Sequence, residues 1–277
     1  VSEAIVWGIG TEDPNQFPNS ATTGTPAGWV PDSTSSADIT LDDDEVLEDV
    51  RLTDSANINV VGTNVTVRRC ELWGGRIIND FGPCGSGLLV EDVSILPEDP
   101  PDGPVDDSEG VLSGGSFTAR RVEINGRSEG IRVGSNDICG AVVIEDTYVR
   151  LVPPTPCTDW HGDGIQGFNG GGITINNMTI DMREGMGVCP GTAPFWWPSG
   201  QGNTGDVVVD RFLVMGQGFS FRLHMPGTVS NLKVVDDSWE FGPIDVTCAG
   251  ITSWEAKIVT IDSDYRITSV VEDQPCE

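Results

Sequence analysis

The sequence predicts an all-β fold, a single-stranded right-handed parallel β-helix wound as a solenoid, and three observations carry the prediction. First, an eight-residue cadence, apolar-x-apolar-polar-polar-apolar-x-apolar, occurs seven times, starting at Val65, Leu88, Phe117, Val142, Ile173, Val207 and Gly227. Second, successive starts lie 23, 29, 25, 31, 34 and 20 residues apart, the period of a solenoid rung that carries insertions of different length. Third, no helical period competes with the cadence, and the 35 glycines together with Asn and Ser mark bends. An antiparallel sandwich also gives many short strands, but its turns come every ~8–12 residues, less than half the spacing here.

The elements follow in order. Residues 1–45 are rich in Thr, Ser, Pro, Gly and Asp, contain Trp7 and Trp29, and run into the acidic stretch Leu41 to Asp49. A solenoid needs its open end covered, so this segment is expected to be an N-terminal cap. Residues 46–252 hold the rungs. Each copy reads as two short strands with alternate residues turned inward, joined at a polar pair such as Arg68-Arg69 or Asn176-Asn177 where the chain bends. Stacking then places Val67, Val90, Ile144, Ile175 and Val209 in one interior column. Residues 253–277 alternate more simply and are expected to form a last rung or a hairpin closing the other end.

Composition sets the surroundings. Fifteen basic against 43 acidic residues leave a net charge of −28, which argues against nucleic acid as a partner. An acidic ligand would therefore have to meet local positive groups or a bound cation. No run approaches the ~18 apolar residues of a membrane span, so no membrane insertion is expected. The amino terminus lacks a basic, apolar signal region, so the chain reads as a mature form. Seven cysteines favour an oxidising, extracellular setting. Cys70 and Cys84 flank one rung and are placed to staple its loop, Cys139, Cys157 and Cys189 edge the longest rungs, and Cys248 and Cys276 are placed to tie down the tail. An odd count leaves at least one thiol unpaired or paired between chains, and oligomeric state is not legible.

Chemistry gathers where the rungs are longest. An extra loop, Leu151 to Trp160, delivers His161-Gly162-Asp163-Gly164-Ile165-Gln166, and the other histidine of the chain, His224, follows Arg222 by two residues. Aligning the rungs sets Gly110-Val111-Leu112, Gly130-Ile131-Arg132, Gly164-Ile165-Gln166 and Ser220-Phe221-Arg222 side by side. Arg132, Gln166 and Arg222 then point outward, with Glu109, Glu129 and Asp163 as a carboxylate column at the strand entrance. By strand parity His161 and Asp163 would face inward, so they must belong to the preceding bend, which Gly162 and Gly164 make easy. His161, Asp163, Arg222 and His224 are the candidate catalytic residues. Arg132, Gln166, Trp160, Trp196 and Trp197 are candidates for substrate binding, the indoles as platforms for sugar rings. Glu109, Glu129 and Asp163 are candidate ligands for Ca²⁺, a hard cation that takes oxygen; no organic cofactor is indicated.

The stretch His161 to Gln166 (HGDGIQ), followed by Ile173 to Asn177 (ITINN), resembles a subgroup of the secreted bacterial right-handed parallel β-helix superfamily that includes pectate and alginate lyases, polygalacturonases and mannuronan epimerases. The likeness runs over nearly all the rungs and implies a carbohydrate-active protein with an acidic polysaccharide as partner. The Gly-His-Gly and Arg-Ile-Lys signatures of polygalacturonases and the Asp-Pro-His-Glu motif of the epimerases are absent. A polysaccharide lyase is therefore the leading expectation. β-Elimination needs the uronate carboxylate neutralised, by Arg132 and Arg222 or by Ca²⁺, and the C5 proton removed, by His161, His224 or Arg222. In a glycoside hydrolase, Asp163 and Glu129 would instead act as acid and base. In a binding or structural fibre protein the groove would simply hold sugar.

Overall fold

The structure is a computed structural model that describes residues 13–80, 84–98, 109–134, 139–157 and 160–277. The predicted parallel β-helix is what forms. Each turn of the chain lays its eight-residue copy into a first sheet and a following short strand into a second; the described strands make a fifteen-stranded and a nine-stranded sheet. Successive copies pair in parallel, Val67 with Val90, Ile144 with Ile175, and Ile175 with Val209. All five residues of the expected interior column are at most 1% exposed. No helix of the described residues is long and apolar enough to cross a membrane.

The bend at the polar pair has a definite conformation. The fifth residue of every copy adopts a left-handed backbone: Arg69, Asp92, Arg121, Asp146, Asn177, Arg211 and Asn231 have φ between 46° and 64°, and Asp49 in the preceding turn has φ 58°. Asp and Asn enter this region most readily; an arginine does so at some cost. Stacking sets acids against bases at this corner. Arg69 binds Asp49, Arg121 binds Asp92, and one residue earlier Arg68 binds Glu48 while Arg120 reaches both Glu91 and Glu145. Much of the chain's scarce positive charge is therefore committed to a structural ladder.

The two ends are closed differently. Trp7 lies outside the described residues. The described part of the predicted cap, from residue 13, runs along the side of the solenoid. Phe17 packs against Leu213, Met215, Val235 and Val259 of the late rungs, and Arg211 donates to the Pro14 and Gln16 carbonyls. Further along, the Gly24 N–H meets the Arg121 carbonyl at 2.8 Å, and Trp29 Nε1 donates to Asp49 at the first corner. The segment thus descends as a strap and then supplies the first rung itself: Ser33–Ser35 pairs with Val50–Leu52, and Ile39–Leu41 with Ile58–Val60. Rung strands therefore begin before residue 46, and Trp29 and Phe17 also meet the guanidinium groups of Arg51 and Arg211. At the other end Ile251–Ile261 adds one more parallel strand, and Ile267–Asp273 folds back antiparallel upon it, the expected hairpin.

Three disulfides join Cys84 to Cys139, Cys157 to Cys189, and Cys248 to Cys276. The tail staple is as expected. The Cys70–Cys84 staple does not form, since Cys70 faces the core as a free, buried thiol whose pKa burial pushes up to about 11.

Candidate functional site

Four strands of the second sheet build the site: Asp163–Gly167, Ala193–Trp197, Phe219–Leu223 and Gly242–Val246. Ile165, Phe195, Phe221 and Ile244 align in register and point inward. Phe195 and Phe221 stack with centroids 4.8 Å apart, so this half of the core is aromatic and stiff. The neighbouring residues Gln166, Trp196, Arg222 and Asp245 align in the same register on the outer face, and Arg132 stands beside Gln166. This outward column is the one drawn from the sequence, extended by Asp245. Its members touch. Arg132 Nε donates to Gln166 Oε1 at 3.0 Å, the Arg222 guanidinium lies 5.7 Å from the Trp196 ring centre and 5.8 Å from that of Phe219, and Arg222 Nε donates to Asp245 at 3.1 Å.

Beside this column opens a cleft of about 620 Å³ in which His161 and Arg222 both line the wall. Its other side is formed by the two long insertions, at Cys157 and at Cys189 to Thr192, which the Cys157–Cys189 disulfide joins. The expected convergence of the Leu151 to Trp160 and Cys189 to Gly202 loops on one side is met there. Two short bonds fix the second loop: Gln217 Oε1 accepts the Gly191 N–H at 2.6 Å, and Glu240 accepts the Gly187 N–H at 2.8 Å. Phe219 and Phe241 complete the wall. Gly162 is required for space: a Cβ there would lie 2.3 Å from the Trp160 indole, and one on Gly164 would lie 2.4 Å from the Pro194 carbonyl oxygen. Close approach, rather than an unusual backbone angle, explains the glycines of His161-Gly162-Asp163-Gly164.

Other parts of the expected cluster separate. Asp163 is the first residue of its strand instead of the last of the bend, so it shares the inward parity of Ile165 and is only 4% exposed. Its Oδ1 has no hydrogen-bond partner. Burial, and then the charge of Glu129, push its carboxyl well above the usual carboxylate range against the pull of Arg132, Arg222 and the Ala193 N–H. Asp163 therefore does not line the cleft. His224 lies past the far end of its strand, where its Nε2 meets Asp245 Oδ1 at 3.2 Å. Asp245 thus holds His224 and Arg222 together. Burial raises its pKa, but the hydrogen bonds from His224 and Arg222 outweigh that and leave it below the ordinary value.

The calcium set does not assemble. Leu112, not Val111, pairs with Ile131, which moves Glu109 one residue out of line with Glu129, and Glu109 instead binds Arg76 at 2.9 Å. Among the described residues no three His, Cys, Asp or Glu side chains gather to hold a metal ion. Glu129 and Asp163 do stand together, Glu129 accepting the Asp163 N–H at 3.3 Å. Trp197 alternates inward from Trp196 and is fully buried, so it is core and not a sugar platform. Trp160 is 7% exposed, donates to the Ser128 carbonyl, and reaches the cleft only as part of its floor.

Sequence reasoning missed Asp245, Glu240, Phe219 and Phe241. Asp245 had a usable signal, since Ile244-Asp245-Val246 repeats the Phe221-Arg222-Leu223 pattern one rung on. Comparison with protein-family models, with curated proteins and with solved structures found no match to this chain.

Proposed function

We propose that this is an extracellular carbohydrate-active protein, a polysaccharide lyase that cleaves a uronic-acid-containing polymer by β-elimination in the His161–Arg222 cleft. The observation that carries the reading is that His161 and Arg222 line one cleft beside the outward column of Arg132, Gln166 and Trp196. A chain of net charge −28 repels an acidic polymer at a distance, so contact falls to this local cationic strip. Trp196 offers a flat face to a sugar ring, and Gln166 and Arg132 offer hydrogen-bond donors on neighbouring rungs. The three disulfides fit an oxidising compartment.

In the reaction, Arg222 pairs with the uronate carboxylate and makes the C5 hydrogen more acidic. His161 takes that proton, the C5–H electron pair forms the C4–C5 double bond, and the C4–O bond breaks, the leaving oxygen taking a proton from solvent. Asp245 holds Arg222 in place. Neutralisation is assigned to Arg222 and no step is assigned to calcium, because Glu109 is drawn away to Arg76. Hydrolysis needs two carboxyl groups at the bond, and among the described residues lining the cleft Glu240 is the sole acid. Incubation with a panel of uronic-acid polymers tests the reading. A rise in ultraviolet absorbance from the unsaturated product is expected; new reducing ends without it would replace the lyase by a hydrolase, and binding without either would leave a glycan-binding protein.

A further inference from the structure

The cleft is better furnished for an apolar substituent than for a fully hydroxylated sugar. Three of the polar side chains that line it already have a partner within the protein. The Thr192 hydroxyl donates to the His161 carbonyl at 3.0 Å, Glu240 accepts the Gly187 N–H at 2.8 Å, and Arg222 Nε donates to Asp245 at 3.1 Å. Its rim is apolar and open: Val188 is 89% exposed and Phe241 75% exposed, and both line the cleft. A sugar hydroxyl turned toward either residue gives up water and gains no acceptor, whereas a methyl group placed there removes apolar surface from water. The rim is also fixed in advance. Cys189, next to Val188, is bonded to Cys157, and the Phe241 N–H is held by the Gly218 carbonyl at 2.8 Å.

We propose that the cleft selects an O-acetylated uronate unit, its carboxylate directed to Arg222 and its acetyl methyl group seated on Val188 and Phe241. The proposal rests on the reading of the cleft as an acidic-glycan site and names the substituent that site prefers. A unit without the acetyl group keeps the Arg222 contact but leaves the rim in water.

Isothermal titration of the full chain with one oligogalacturonate and one oligomannuronate, each O-acetylated and after mild alkaline removal of the acetyl groups, tests the proposal. The acetylated form of at least one pair is expected to bind at least about tenfold more tightly, the scale of one apolar group seated in a pocket. Val188→Ser and Phe241→Ser, with folding checked by circular dichroism, are expected to bring that ratio close to one. Equal or tighter binding of the deacetylated forms would overturn the acetyl assignment and leave the acidic-glycan reading standing, as would a ratio that both variants leave unchanged. Failure of all four oligomers to bind would overturn the acidic-glycan reading and this inference with it.

Discussion

Asp163 is a carboxyl group held away from water, with one oxygen unpartnered and Glu129 close by. Because its folded pKa is raised, the folded chain binds its proton more tightly than the unfolded chain. That contribution is fully present below the ordinary carboxylate range and is lost as pH rises through the folded value. Asp163→Asn removes the charge, so the variant is expected to melt at a higher temperature than the parent at pH 8, with the gap shrinking as pH falls toward ordinary carboxylate values. Scanning calorimetry at several pH values checks this, and a gap independent of pH would show that Asp163 is not the titrating group. His161 and Arg222 carry the opposite expectation: each lines an open cleft and supports no core. His161→Ala and Arg222→Ala are expected to lower lyase turnover by roughly 10²-fold or more with little change in melting temperature, measured by product absorbance beside calorimetry.

The corner ladder and the cleft wall show what stacked elements impose on their residues. Arg121 sits in a left-handed corner with its guanidinium on Asp92 and Glu91, and burial pushes the Asp92 carboxyl up in spite of Arg121. Such a desolvated pair adds little net stability, yet removing one partner strands the other. Arg121→Met is therefore expected to cost about 3 kcal/mol in urea unfolding, with much of the loss persisting at high salt because a largely buried pair is poorly screened. At the cleft, the Cys157–Cys189 bond closes a loop of 32 residues. Replacing both cysteines by serine is expected to lower stability by about 3 kcal/mol and to weaken glycan binding as well, since the wall then rests on hydrogen bonds alone, from Gly191 to Gln217, Gly187 to Glu240 and Thr192 to the carbonyls of His161 and Gly162. Unchanged affinity in that variant would show the wall to be set without the bond.

At the scale of the whole molecule the strap ties the amino-terminal segment to the late rungs. Phe17 covers part of the first sheet, the late strands beyond the corner at Leu213, Met215, Val235 and Val259, while Val208 before the corner stays exposed and the cleft on the second sheet is open. Phe17 is 2% exposed among Leu213, Met215, Val235 and Val259, so Phe17→Ala is expected to cost about 3 kcal/mol, read by calorimetry, while the cleft residues keep their register. The sequence alone carries the repeat, the parallel stacking, the interior column and the corner, because alternation of apolar residues and a polar pair at a fixed place are local properties that stacking multiplies. It also determined the outward column Arg132–Gln166–Arg222, for once register is set a strand's parity settles which side chains face out. The remainder is set by packing in three dimensions. The start of the strand at Asp163 turned that carboxyl inward, a one-residue shift at Leu112 separated Glu109 from Glu129, and the path of the strap and the partners of Cys84, Cys157 and Asp245 depend on residues far apart in the chain. These are matters of where a strand begins, how it pairs and which distant surfaces meet, and a periodic pattern carries none of them: slipping a strand's pairing register by one residue leaves the repeat intact and turns its side chains to the other face.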